Sequence, residues 1–458
     1  MSSETVTAAR RLVEEAVVTF EGRRIGTVAS HSPRFRGASN YGECFVRDFV
    51  VSALVFLSDD QPDTAIVRDF LATVAGLAAG QGGMRGHDLH PGVLPASFSL
   101  VAGDHGQQLV ADFGDRAIGR VAPVDSIMWW TLLLALYERT SGDRELTTRD
   151  EVRVTLRRSL ELVLRGSFEV LPTLLVPDGS CMIDRRMGVY GHPLEVQALF
   201  YAMLGAAGGL LSDHGQDAEL LERAAQRREQ LLEYVRSHYW LDERRLSEIN
   251  RFRLDEFGAS SENDLNISPD SIPEWVSSWL PHRGGYLAGN LGPGRLDVRF
   301  FALGNLLAIL FGLATEEQAG LIMDLYEARW DDLVGCVPLA ISFPAMTEWE
   351  WRLVTGCDPK NRPWSYHNGG HWPVLLWPFV AAALTVGRRE LAERAVGLAH
   401  ARLANDDWPE YYDGREGRLI GRAANLQQVW TAAALVVSQR MLDRPDLLEM
   451  LRADTAGA

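Results

Sequence analysis

Five stretches of the chain concentrate carboxylates, histidines, aromatics and glycines. They are 40–48 (NYGECFVRD), 112–125 (DFGDRAIGRVAPVD, running into Trp129 and Trp130), 178–195 (DGSCMIDRRMGVYGHPLE), 364–372 (WSYHNGGHW) and 408–414 (WPEYYDG). That mixture suits a sugar. Aromatic rings cover the apolar face of a pyranose, and carboxylates and amides bond its hydroxyls. Glycines let backbone approach closely, and two carboxyl groups flanking a glycosidic bond can hydrolyse it. Each residue also has a plainer reading. Asp184, followed by two arginines, has the form of a surface charge cluster. Asp48 beside Arg47 reads equally as an ion pair, Asp125 as a helix N-cap, and His192 before Pro193 as a structural histidine. His367 and His371 are four apart, as in a metal pair. Two glycines separate them and no glutamate follows His367 as in a zinc-protease helix, so no metal is expected.

The elements that must position these stretches are helical. Val152, Leu156, Leu160, Val163 and Leu164 recur at helical spacing among charged residues, as do Leu220, Leu221, Ala224, Leu231, Leu232 and Val235. Further helices are expected near 5–18, 44–58, 61–79, 125–141, 193–211, 296–313, 315–329, 371–386, 388–404 and 426–443. About a dozen helices with short connections imply a bundle or ring. Alternating strand patterns are scarce. The Pro/Gly-rich stretches 281–295 and 356–373 read as structured loops, and function concentrates on loops carried by a rigid scaffold. Trp129 and Trp130 leave a helix in different directions, so at most one faces a pocket.

Composition removes several functional classes. The 458 residues are 47% apolar, enough for a large core, and carry a net charge of −16, which disfavours nucleic acid and anionic membrane as partners. The chain has a single lysine, Lys360, in the context Asp-Pro-Lys-Asn, which fits neither a Schiff-base nor a phosphate-loop lysine. Four scattered cysteines, Cys44, Cys181, Cys336 and Cys357, form no C-x-x-C pair, so no disulfide framework is expected. The N-terminal segment reads as an amphipathic helix and not a signal peptide, and no run of about 18 apolar residues is apparent. Cytoplasm is the default location. A homo-oligomer is compatible with the composition, which fixes no subunit number.

The segments NYGECFVRDFV, DFGDRAIGRVAPVDS, PTLLVPDGSCMIDRRMGVYGHPLE, GGYLAGNLGPGRLDVRFFALGNL, TGCDPKNRPWSYHNGGHWPVLLW and WPEYYDG resemble, in order, the alkaline/neutral invertases of plants and cyanobacteria, glycoside hydrolase family 100. The resemblance spans about residues 25–443. It implies an all-α fold, an (α/α)6 barrel with the active site at one mouth of the ring. It implies a helical extension at 1–24, one catalytic domain over 25–445 and a tail at 446–458. It further implies hydrolysis of sucrose at the glucosyl side with inversion, no metal or organic cofactor, and a small sugar as substrate. By its motifs Asp184, of MIDRRMG, is the general acid and Glu410, of WPEYYDG, the general base. Inversion requires the two carboxyl groups to stand about 6.5–9.5 Å apart. Arg185 and Arg186 are expected to point away from the Asp184 carboxyl or to bind hydroxyls. Tyr41, Asp48, Asp125, His192, Glu195, His367, His371, Trp372, Arg422 and Gln428 are the candidate substrate-binding residues.

The chain departs from the family pattern in a cluster. His371 follows HNGG where a small residue is usual, and Pro344-Ala-Met-Thr347-Glu348-Trp349 replaces PALEG before tryptophan. Arg422-Ala-Ala-Asn425 replaces K-Q-[SA]-R, and Ile127 replaces a glycine. Such changes predict an altered leaving-group subsite, because unmatched buried polar groups alter selectivity strongly. Hydrolysis of another small α-glucoside is therefore the alternative. A sugar epimerase would lean on histidines, and a non-catalytic sugar-binding protein would need neither carboxylate.

Overall fold

The computed structural model describes residues 2–32, 40–78, 89–103, 106–114, 123–166, 169–170, 172–176, 181–183, 187, 189–212, 215–250, 272–292, 295–419 and 424–452. Six helices close an inner ring. Val46–Leu57 packs on Ser126–Ser141, that on Leu194–Leu211, then Ala302–Leu310, Leu376–Thr385 and Val429–Asp443, which returns to Val46–Leu57. Six more alternate with them in sequence and lie outside: Ser2–Glu15, Thr64–Gly76, Asp150–Val163, Ala218–His238, Glu316–Ala328 and Arg389–Arg402. This is the (α/α)6 arrangement.

The two rings differ in sequence because they differ in burial. Asp150–Val163 buries one apolar stripe, Val152, Leu156, Leu160 and Val163, and its half-buried Arg153 and Arg157 pair with Asp217. Leu194–Leu211 touches both the ring interior and the outer layer and is buried nearly all round. It is long and apolar enough to cross a membrane by length and composition, contrary to the sequence reading, yet 83% of it is buried within the protein. Its apolarity is that of a helix with a neighbour on every side.

All twelve expected helices are present. The window at 296–313 is corrected at its start: Arg295–Phe301 is a strand and the helix begins at Ala302. Leu296, Val298 and Phe300 alternate with Asp297 and Arg299, a period of two that wins over the helical pattern. Likewise Val17–Phe20, part of the expected 5–18 helix, pairs with Arg23–Thr27. That hairpin spans the 24/25 boundary expected from sequence, and Ser2–Glu15 packs against Val429–Asp443. The expected tail also carries a helix, Leu447–Arg452, with Leu447 and Leu448 buried.

Strands are more numerous than expected and decorate the mouth. Gly285–Gly292 pairs antiparallel with Arg295–Phe301, His192–Pro193 and Trp240–Asp242, and Arg295–Phe301 also pairs with Ser342–Phe343. A second hairpin, Ser97–Gly103 with Gly106–Asp112, pairs with Cys44–Phe45. Cys44–Phe45, His192–Pro193 and Arg295–Phe301 each lead straight into an inner helix, so this is the end at which the inner helices begin.

Candidate active site

The sequence candidates sit where inner helices start. Asp48 lies in the first turn of Val46–Leu57, Asp125 immediately precedes Ser126–Ser141, Glu195 is in the first turn of Leu194–Leu211, and Gln428 precedes Val429–Asp443. Helix starts present unpaired N–H groups and a positive end of the dipole, a favourable place for carboxylates and hydroxyl oxygens.

Glu410 is carried by the extended segment after Arg389–Arg402. Asp407 and Trp408 take positive φ (59° and 54°), which turns the chain sharply into the mouth. The Glu410 N–H donates to the Asn425 carbonyl (2.7 Å), and Tyr412 bridges His371. Gly414 is required here, since a Cβ would stand 1.8 Å from the Gly369 carbonyl oxygen. The Glu410 carboxylate is buried, 3% exposed. The Tyr41 hydroxyl donates to its Oε1 at 2.9 Å, and its Oε2 accepts no hydrogen bond among the described residues. One oxygen is thus oriented while the other is left for a further partner.

A chain of charged groups continues from Glu410 across the recess. The Arg47 guanidinium donates to both Asp125 oxygens (2.5 and 3.0 Å), and the Trp129 indole N–H reaches Asp125 at 3.2 Å. Asp125 therefore occupies the N-cap position without a side-chain capping bond. Arg47 pairs with Asp125 and not with its neighbour Asp48. Burial pushes the Asp48 carboxyl up to about 7; Arg47 opposes this, and Glu410 and Asp125 add to it. Asp48 retains some solvent exposure, so it lies in a recess open at the mouth. Glu195, 1% exposed, is also pushed up to about 7 by burial, against the neighbouring Cys181 thiol, the Ile183 N–H, which donates to it at 3.2 Å, and the Arg47 charge. Near neutrality the site thus holds two carboxyl groups poised between donor and acceptor forms. Beneath them Arg47, Val50, Trp129, Met182, Trp377 and Trp430 line a small, largely apolar cavity of about 20 Å³.

A pH dependence of stability follows. Glu195 binds a proton more tightly in the folded chain than in the unfolded one, whose carboxyl is near its ordinary value. Its favourable contribution is complete below the unfolded value and is lost as pH rises through about 7. Glu195→Gln is expected to reduce the stability difference between pH 5 and pH 8 by about 2 kcal/mol, read from urea unfolding at the two pH values.

The other candidates divide. His192 is buried, and burial lowers its imidazole pKa against a bond to the Leu174 carbonyl; its Nδ1 has no partner among the described residues. Gln428, 1% exposed, leaves its Nε2 unpartnered in the same way. His367 stacks on Tyr366 (3.9 Å) and Trp372 (4.8 Å). The His371 Nδ1 bonds the Val337 carbonyl and its ring abuts Gly335, while its buried Nε2 has no partner among the described residues. Trp372, 1% exposed, donates its indole N–H to the Tyr366 carbonyl and stacks on Tyr411 (5.5 Å), as a wall behind the site. Trp129 reaches the site, whereas Trp130 donates to the Leu71 carbonyl in the core, as its direction on the helix requires. Asp184, Arg185, Arg186 and Arg422 lie outside the described residues. No group of three metal-ligating side chains occurs among the described residues. Sequence reasoning missed Arg47 as the partner of Asp125 and the Tyr366–Tyr411 ring pair (5.3 Å), neither of which any local pattern marks.

Residues 9–445 match the family described as alkaline and neutral invertase. The chain belongs to that family. It is 45% identical over 448 residues to probable alkaline/neutral invertase F of Arabidopsis thaliana, covering 97% of this chain and 89% of that one. It is 46% identical over 441 residues to cytosolic invertase 1 of Oryza sativa subsp. japonica (96% and 78%). Invertase-family relatives of similar identity carry mitochondrial and chloroplastic names, so the family occupies several compartments. Two solved structures share the fold. A bacterial glucoamylase complexed with acarbose superposes with a TM-score of 0.59 at 12% identity, covering 99% of this chain and 58% of that one. A Thermus thermophilus mannosylglycerate hydrolase superposes with a TM-score of 0.53 at 14% identity (95% and 99%). This invertase-family chain is a glycoside hydrolase.

Proposed function

We propose that the chain hydrolyses sucrose at the glucosyl side with inversion, with Glu410 as general base and Asp184 as general acid. The observation that carries this reading is the Glu410 carboxylate, buried at the mouth, with Oε1 fixed by the Tyr41 hydroxyl and Oε2 unengaged among the described residues. A base needs one oxygen held and the other free to take a proton from water attacking the anomeric carbon. Asp184, carried by the motif two residues beyond Met182, donates to the glycosidic oxygen. Ile183, its immediate neighbour, is tied to Glu195. Asp48, Asp125, Glu195, His192 and Gln428 bind the glucosyl hydroxyls; partly protonated Asp48 and Glu195 serve as donor or acceptor. No metal or cofactor takes part in this mechanism.

Proton NMR of the first product tests the stereochemistry. β-Glucose is expected to appear before mutarotation, and α-glucose as the first anomer would refute inversion.

A second reading, a different aglycone, rests on Asn425. This departure from the family pattern is buried directly beside Glu410, whose N–H the residue's backbone carbonyl holds, so the changed side chain lies next to the carboxylate. A screen of α-glucosides separates the two. Turnover of sucrose well above the others supports the first reading, and a preferred non-fructosyl glucoside supports the second.

A further inference from the structure

The only lysine of the chain stands beside the hydrogen-bond partner of Glu410. The Lys360 Nζ lies 3.5 Å from the Tyr41 hydroxyl oxygen and 3.8 Å from the centroid of the Tyr366 ring. The Tyr41 proton is committed to Glu410 Oε1, so the Tyr41 oxygen faces the ammonium as an acceptor. We propose that Lys360 is a positioning residue for the hydrolytic reaction, an ammonium clamped on the Tyr366 face that polarises the Tyr41 hydroxyl and so holds Glu410 oriented and ionised. The proposal rests on Glu410 being the general base.

Three features favour this over a loop-stabilising lysine. The loop is held by backbone and by other side chains: the Lys360 N–H donates to Asp358 Oδ1, the Lys360 carbonyl accepts from Ser365 Oγ, and Asn361 bonds Asp358. The side chain is therefore free for another task. Cations elsewhere in the chain are arginines, and a planar guanidinium does not reproduce a compact ammonium between a ring face and a hydroxyl. Finally, among the described residues the other groups around Glu410 named here do not supply a cation. Tyr41 and Tyr411 are phenols, burial and the Glu410 charge keep both protonated at neutral pH, and Asp48 is a carboxyl group that opposes a second negative charge. Tyr366 also faces Tyr41, and Asp358 is turned to its own loop. Hydrogen bonds in a chain of ammonium, phenol and carboxylate polarise one another, which strengthens the hold on Glu410.

The test compares Lys360→Met, Lys360→Arg, Tyr41→Phe and the Lys360→Met/Tyr41→Phe double variant by kcat and KM across pH, with thermal melting as a folding control. Lys360→Met is expected to lower kcat about tenfold with KM within about twofold, and to move the acid limb of kcat/KM upward by roughly half a unit or more, because loss of the cation makes Glu410 easier to protonate. Lys360→Arg is expected to restore part of that shift. The double variant is expected to be no worse than Tyr41→Phe alone, since both changes cut one path. An unmoved acid limb with unchanged kcat, an effect confined to KM, or losses that multiply in the double variant would each overturn the proposal. Glu410→Gln separates the two readings. Residual full turnover there removes the general base itself, whereas an inactive Glu410→Gln beside a normal Lys360→Met removes only the role of Lys360.

Discussion

Glu410→Gln is expected to lower kcat on sucrose by about 10³-fold while sugar binding persists. The amide keeps the shape of the carboxylate and can still accept from the Tyr41 hydroxyl, which reaches Oε1 at 2.9 Å, so the pocket need not rearrange. What disappears is the basicity of Oε2, which in the native chain has no hydrogen-bond partner among the described residues. The two measurements are glucose release under saturating sucrose and calorimetric binding of glucose. A variant that keeps more than a tenth of native turnover would remove Glu410 from the reaction. A variant that loses turnover and binding together would make it a binding group instead.

The second large effect concerns stability. Asp125→Ala is expected to destabilise the chain by about 3–5 kcal/mol in urea unfolding at pH 7. The Asp125 side chain is 2% exposed and takes two bonds from Arg47, whose own side chain is 20% exposed. Removing the carboxylate leaves a charged guanidinium above a largely apolar cavity and frees the Trp129 indole N–H as well. An exposed ion pair such as Arg389–Glu393 lies on an outer helix, and deletion of Glu393 is expected to cost at most about 1 kcal/mol. A loss of the same small size at Asp125 would show that the recess is far wetter than its burial implies.

The twelve ring helices were legible because each is long enough for its apolar spacing to repeat over several turns. The short helices Glu243–Asn250, Glu274–Trp279 and Glu348–Thr355 were not, since six to eight residues hold too few repeats to stand out from loop sequence. The strand Arg295–Phe301 was masked by the apolar run that follows it. Within the site, residue types were readable and directions were not. His371 and Trp372 are adjacent on an extended segment and so point to opposite sides, a fact that spacing cannot orient without knowing which side is the pocket. Arg47 has Asp48 next to it in sequence, and only the helix start at 126 brings Asp125 within reach. The Tyr41–Glu410 contact joins residues 369 positions apart, beyond any local pattern.

Ring closure places the opening and closing segments of the chain side by side. Val429–Asp443 lies against both Val46–Leu57 and Ser2–Glu15, and Arg440 reaches the Val55 carbonyl, Ser58 and Asp59. The Tyr41 hydroxyl therefore emerges from the ribosome hundreds of residues before the Glu410 carboxylate it bonds. A nascent or C-terminally clipped chain can bury much of its apolar surface and still lack a competent mouth. Appearance of hydrolytic activity during refolding would accordingly time the last docking event of the toroid, and not its collapse.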